Sequence, residues 1–212
     1  MKIGIIGSGG VAQTLGSAFA AKGHNIRLGT RDVGKLAEWL ESTGENASAG
    51  SFEEAAKFGD VVLIAVKGDV ALPAIELAGR DNFKGKTVLD LTNPMDFSGG
   101  VPHKFVATVG NSLGEQMQSA LPDAHVVKAF NTIGTSIMVD PKFGYDIATM
   151  FIAGNDENAK AETAKLIKEF GWDVEDLGGI EQSFFLEAFA SLWVNYGFKS
   201  NNWSFAFKLL KR

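Results

Sequence analysis

The chain has 212 residues, a formal net charge of −5, and 45% hydrophobic against 21% charged residues. That composition supports a normal core in one large domain, or in one domain with a small extension, and no basic run longer than a pair points to nucleic acid. The absence of cysteine excludes disulfides, thiolate zinc sites and thiol catalysis, and no run of about eighteen apolar residues exists to span a membrane.

His24, His103 and His125 lie far apart in sequence, so their spacing suggests no metal site. The chain enters a strand at once with no visible signal peptide, so a cytoplasmic location is the expectation.

Lys2-Ile3-Gly4-Ile5-Ile6-Gly7 reads as a short buried strand. Gly7-Ser8-Gly9-Gly10-Val11-Ala12 follows as a tight turn of the form G-x-G-x-x-A, and a helical pattern covers 11–22. Gly7 permits the sharp turn, Gly9 lets backbone approach a pyrophosphate, and Ala12 lets the helix pack closely on the sheet. The free N–H groups at the helix start suit phosphate, so Gly7, Ser8, Gly9, Gly10 and Val11 are the expected pyrophosphate cradle. A second strand at 26–28 completes the first half of a dinucleotide-binding Rossmann unit.

The end of that strand indicates which dinucleotide. An NAD site places Asp or Glu there to bond the adenosine ribose. This chain has Gly29-Thr30-Arg31, with Lys35 one helical turn on. A hydroxyl and two cations suit the 2′-phosphate of NADP. Asp32 is expected to cap the helix that begins at Val33.

Further along, a helix is expected over 33–42, a short strand over 47–49, and a capping box at Ser51-Phe52-Glu53-Glu54. Residues 60–66 read as a strand whose unbroken apolar run after Asp60 is the signature of a parallel strand covered on both faces. Ala65, Val66 and Lys67 then border the cofactor crevice, with Lys67 expected in solvent rather than on a phosphate. After a helix over 70–78, the strand 86–90 runs into Leu91-Thr92-Asn93-Pro94, which faces the same crevice. Asn93 either donates to the nicotinamide end or forms the turn before Pro94.

Residues 95–107, rich in Gly and Pro, read as a long loop. A helix over 111–121 and a strand over 126–130 precede Asn131-Thr132-Ile133-Gly134. A second loop spans 139–146. The strand 148–153, an amphipathic helix over 156–170 and an edge strand over 172–177 follow. The helix over 182–198 leaves no wide polar face, which predicts a homodimer with this helix in or near the interface, the alternative being an intrachain core helix lying across the sheet. The aromatic tail after it is expected to pack on the same chain or its partner. The fold is thus a Rossmann-type doubly wound, mostly parallel α/β sheet, residues 1–178, followed by an apolar helix and tail, residues 179–212.

Several of these stretches, in this order and spacing, resemble the coenzyme F420-dependent NADP oxidoreductase family. They are Ile3-Gly4-Ile5-Ile6-Gly7-Ser8-Gly9, Leu28-Gly29-Thr30-Arg31, the strand at 60–66, Leu91-Thr92-Asn93-Pro94, and Val127-Lys128-Ala129-Phe130-Asn131-Thr132-Ile133. The last stretch is also similar to the NADPH-binding domain of the STEAP-type ferric reductases. The resemblance implies direct hydride transfer between NADP(H) and a second redox ring, a deazaflavin (F420) or a flavin (FMN or FAD). The acceptor would meet the nicotinamide near Met95, Asn131, Thr132 and Ile133. Archaeal F420 enzymes tend to read His-Thr-Ile-Pro where this chain has Asn131-Thr132-Ile133-Gly134.

Hydride transfer between stacked rings needs orientation and exclusion of water more than an acid or base. No triad and no paired carboxylates stand out in the motifs. Two alternatives remain open. One is reduction of a small carbonyl or imine, which needs a proton donor. Lys128 is the one candidate within a motif, although a lysine in mid-strand is expected at a sheet edge or end. The other is a non-catalytic NADP(H)-binding sensor or partner subunit.

Overall fold

A computed structural model describes residues 1–212. The first half contains β1 (Lys2–Ile6), α1 (Gly10–Ala21), β2 (Asn25–Gly29), α2 (Ala37–Thr43), β3 (Ala47–Gly50), α3 (Phe52–Phe58), β4 (Val61–Ile64), α4 (Ala71–Ala78) and β5 (Thr87–Asp90). The second contains β6 (Met95–Asp96), β7 (Lys104–Phe105), α5 (Leu113–Ala120), β8 (His125–Lys128), β9 (Lys142–Phe143), β10 (Asp146–Ile147), β11 (Thr149–Gly154), α6 (Glu157–Lys168), β12 (Asp173–Asp176) and α7 (Ser183–Ser200).

Eight strands form one sheet in the order β12-β11-β8-β5-β4-β1-β2-β3. The six from β3 to β8 are parallel and follow the doubly wound Rossmann order. β11 then runs antiparallel to β8, and β12 runs parallel to β11. Alternation along the strands feeds two cores. Ile3, Ile5, Leu63, Leu89 and Val127 pack under α1 and α6 on one face. Ile6, Val62, Ile64, Val88 and Val126 pack under α3, α4 and α5 on the other. The crossovers bring the glycine turn, the ends of β4 and β5, and the segment after β8 to one edge of the sheet, the crest.

Several boundaries differ from the sequence expectation for identifiable reasons. The second helix begins as a 3-10 turn, Val33–Leu36, because the Asp32 carboxylate accepts from the Gly34 N–H at 3.1 Å. The stretch 95–107 is not all loop. β6 and β7 pair antiparallel within it, and Phe105 packs edge-on against Phe184 of α7 at 5.9 Å. A similar small hairpin, β9–β10, occupies the second expected loop. β8 stops at Lys128 because Phe130 turns left-handed, with φ of 57°.

α7 buries Leu186, Glu187, Ala190, Trp193 and Gly197, while Phe185, Leu192 and Tyr196 stay exposed. The tail beyond it packs on its own chain. The Thr149 N–H donates to Phe207 O at 2.9 Å, and the Leu209 N–H donates to Thr149 Oγ1 at 3.1 Å. This covers the edge of β11 where β8, paired only with Ala153 and Gly154, has parted from it. No helix is long and apolar enough to cross a membrane.

Candidate functional site

The glycine turn is built for close backbone approach. Gly7 has φ of 140°, and a Cβ there would fall on the Ala65 carbonyl. Its N–H donates to Gly29 O at 3.0 Å, which ties the turn to the end of β2. Gly9 caps α1 with no side chain, nothing lies within 4 Å of where its Cβ would be, and the first turn holds no acidic residue. The N–H groups of Gly10, Val11 and Ala12 therefore present a positive helix end to open space.

The end of β2 lies beside this turn. Ser8 Oγ donates to Thr30 Oγ1 at 3.1 Å, and Thr30 is largely buried. Arg31 is exposed and enters no ion pair, while Lys35 reaches Asp32 only at 3.9 Å. Asp32 Oδ1 accepts from the Gly34 N–H, as expected of a cap. The Thr30 hydroxyl itself donates to the Asp32 carbonyl at 3.3 Å, so the helix start without a side-chain cap and the free Arg31 guanidinium are the donors that fit NADP.

The other half of the crest is formed by β4, β5 and β8. The Ala65 N–H donates to Ile6 O, Val66 follows half-buried, and Lys67 is exposed. Asn93 and Asn131 bond each other. Asn93 Nδ2 donates to Asn131 O at 2.8 Å, and Asn131 Nδ2 donates to Asn93 Oδ1 at 3.0 Å and to Leu186 O at 3.0 Å. Asn131 Oδ1 is buried with no partner, an acceptor left facing no protein donor. Thr132 is buried and Ile133 joins the core under α1. The segment then arches back, placing Thr135 Cγ2 3.9 Å from where a Gly10 Cβ would be.

Beside this half lies a cavity of about 840 Å³, lined among others by Val66, Asn93, Met95, Asp96, Val106 and Leu113. Lys67, Pro94 and Met95, singled out in the sequence, border it, while the glycine turn, Thr30, Arg31 and residues 131–133 do not. The Asp96 carboxyl is held below its ordinary pKa, chiefly by the Ser98 N–H.

One cluster escaped the sequence reading. Lys128 ends a central strand, not an edge, and is fully buried. Its ammonium lies 2.6 Å from Asp90 Oδ2 and 2.8 Å from Glu187 Oε1, and it donates to Thr92 O at 2.9 Å. Burial alone would pull its pKa down, but the two carboxylates outweigh burial and hold it above the ordinary lysine value. Asp90 and Lys128 are direct partners in the β5–β8 register, and Glu187 is the one acid in α7. Charged residues ending or interrupting apolar runs were the available signal.

Residues 2–94 match the family model for coenzyme F420-dependent NADP oxidoreductases. The F420-dependent NADP reductase of Methanocaldococcus jannaschii is 29% identical over 94% of this chain and 93% of its own. A crystal structure from Arthrobacter sp. FB24, provisionally named an F420-dependent NADP reductase, superposes with a TM-score of 0.93 at 36% identity, covering all of both chains. Metalloreductase STEAP3 of Rattus norvegicus is 27% identical over 88% of this chain, which spans only 36% of that protein. An NADPH-bound reductive aminase from Aspergillus terreus, 16% identical with a TM-score of 0.70, shares the fold.

The fold and the donor set define an NADP-dependent oxidoreductase. Within that class, the chain belongs to the coenzyme F420-dependent NADP oxidoreductase family.

Proposed function

We propose that the protein transfers a hydride directly between NADP(H) laid along the crest and a deazaflavin (F420) or flavin seated as a diffusible substrate in the neighbouring cavity. Bound NADPH supplies the hydride, from its nicotinamide to the acceptor ring. The observation that carries this reading is the cavity itself. It adjoins the Asn93–Asn131 pair, and its hydrophobic lining includes Val66, Val106 and Leu113. A carbonyl or imine acceptor needs a proton donor. Asp96, held ionised by the Ser98 N–H, is unsuited to give one, and Lys128 is enclosed by its carboxylates away from solvent.

Gly7, Ser8, Gly9, Gly10 and Val11 hold the pyrophosphate in this reading. Thr30, Arg31 and Lys35 hold the 2′-phosphate. Ala65, Val66, Asn93 and Pro94 flank the nicotinamide, and Lys67 stays solvated at the rim of the acceptor cavity. The orphan Asn131 Oδ1 accepts an N–H from nicotinamide or acceptor, with Met95, Thr132 and Ile133 shaping the acceptor side. The names of the M. jannaschii and Arthrobacter relatives favour F420, and Asn131 in place of histidine brings flavin into the same test. We propose further that a second copy of the chain packs on Phe185, Leu192 and Tyr196 of α7; sedimentation velocity of wild type and Leu192→Glu tests that dimer.

The deciding experiment is anaerobic NADPH oxidation with F420, FMN, FAD and no acceptor in parallel. Turnover with F420 alone selects the deazaflavin, and turnover with flavins alone selects the flavin. Tight NADPH binding with no turnover in any arm sinks the reading and leaves a carbonyl substrate or a sensor role.

A further inference from the structure

We infer that Lys128 and Glu187 are positioning residues: a buried clamp through which the C-terminal helix fixes the geometry of the crest. The kinetic part of this inference rests on the hydride-transfer reading above; its binding part does not.

The clamp holds Thr92, the residue before Asn93, at three atoms. The Thr92 N–H and Oγ1 both donate to Asp90 Oδ1, at 2.9 and 2.7 Å, and the Thr92 carbonyl accepts from Lys128 Nζ at 2.9 Å. The ammonium is also ion-paired with Asp90 Oδ2 at 2.6 Å and Glu187 Oε1 at 2.8 Å. Glu187 reaches further. Its two carboxylate oxygens accept from the Gly114 N–H at 2.9 Å and the Leu113 N–H at 3.1 Å, which closes the start of α5. The preceding residue of α7, Leu186, gives its carbonyl to Asn131 Nδ2. Two successive residues of one helix thus bear on the Asn93–Asn131 pair, Leu186 directly on Asn131 and Glu187 through Lys128 and Thr92 on the residue before Asn93.

Stability alone is a poor account of this cluster. Three charges with no solvent exposure carry a desolvation cost of several kcal/mol each, and apolar replacements of similar volume are often neutral or stabilising. What ions supply that apolar groups do not is direction. Lys128 Nζ bonds the Thr92 carbonyl while ion-paired with Asp90 and Glu187, and both Glu187 oxygens bond the first turn of α5, so that carbonyl and that turn are tied to one another. Even the approach is specific: a Cβ on Gly114 would sit 3.2 Å from Lys128 Cε and collide with Ser183 Oγ.

The test uses Glu187→Gln in the full chain, which keeps the size and one acceptor but removes the charge. NADPH is titrated by its fluorescence, and single-turnover hydride transfer from 4-deuterated and ordinary NADPH to F420 or FMN is followed in parallel. The expected result is an NADPH Kd within about threefold of wild type, a bound-cofactor emission shifted towards that of free NADPH, and a hydride-transfer rate lowered at least about tenfold. Combining Glu187→Gln with Asn131→Ala should slow transfer no further than the slower single variant, because both act through the same pair.

Unchanged emission and transfer rate, with only a lower Tm, would reduce the clamp to a structural staple and overturn the inference. If Glu187→Gln does not fold, Thr92→Val removes one hydrogen bond to the Asp90 carboxylate and no charge. It must move emission and rate in the same direction by a smaller amount, and no movement overturns the clamp. If wild type passes no hydride from NADPH to F420, FMN or FAD, the hydride reading fails, while the emission of bound NADPH still decides the clamp.

Discussion

Gly134 lies against the indole of Trp193: a methyl group at position 134 would sit 2.8 Å from Trp193 Cη2 and 3.2 Å from Cζ2. The indole has no room to retreat. Its Nε1 donates to Phe205 O at 3.0 Å, and the ring stacks on Phe205 at 5.0 Å with 19° between planes. The segment after β8, α7 and the tail are therefore packed in series. Gly134 is not in the left-handed region, so the cost of a side chain there is steric alone. Gly134→Ala is expected to lose about 1–3 kcal/mol of stability, as overpacking does. In a Trp193→Phe background the same change should cost less. Urea denaturation of the four proteins checks this, and equal costs in both backgrounds would mean that the indole is not the obstacle.

Arg31 has no carboxylate partner to give up, so its full charge is available to a phosphate. Arg31→Ala should weaken NADPH binding by roughly several-fold to a few hundred-fold, the range for a charge-assisted phosphate contact, and leave NADH nearly unchanged. Paired fluorescence titrations with the two cofactors give the comparison. Equal weakening of both would remove the 2′-phosphate from Arg31.

The parts of the fold that were legible are those specified locally. The apolar run before Gly7, the small residues at Gly9 and Ala12, and the capping box at Ser51 and Glu54 each carry their own structural instruction, and each was found. Arg31 stood out in the same way, by residue type at a known place in a known motif. The Asp90–Lys128–Glu187 cluster did not, because its members meet only after β5, β8 and α7 have packed. The β6–β7 pair was missed for a related reason. Two-residue strands carry no periodicity, and Phe105 is held by Phe184 from α7. The path of the tail along β11 likewise follows from where β8 parts from that strand, not from anything in the tail itself.

Phe130 is fully packed yet sits at φ of 57°, a region costly for a bulky residue. Its ring lies edge-on to Phe170 at 6.4 Å, so packing in the core under α1 and α6 offsets the backbone strain. The turn it makes carries the chain from β8 into Asn131. Two substitutions separate the terms. Phe130→Ala loses the ring and keeps the strain, at about 3–5 kcal/mol. Phe130→Gly loses the ring but relieves the strain, and should be more stable than Phe130→Ala by about 1 kcal/mol. Chemical denaturation measures the difference, and the reverse order would show that the left-handed turn is not strained.

His103 links the segment between β6 and β7 to α7. Its Nε2 lies 2.7 Å from Ser191 Oγ, its ring packs on Phe97 at 5.1 Å, and its Nδ1 is buried without a partner. Burial lowers the imidazole pKa below its ordinary value of 6.5, because a protonated ring would bury an N–H that nothing accepts. A base whose folded pKa is depressed contributes its stability fully above the unfolded value and loses it as pH falls through the folded one. Wild type should therefore lose more Tm between pH 7.5 and 5 than His103→Gln, which can still bond Ser191 but does not titrate. His24 and His125 are common to both proteins and cancel in the comparison. Thermal unfolding at closely spaced pH values tests it: parallel Tm profiles would mean that His103 carries no proton-linked stability.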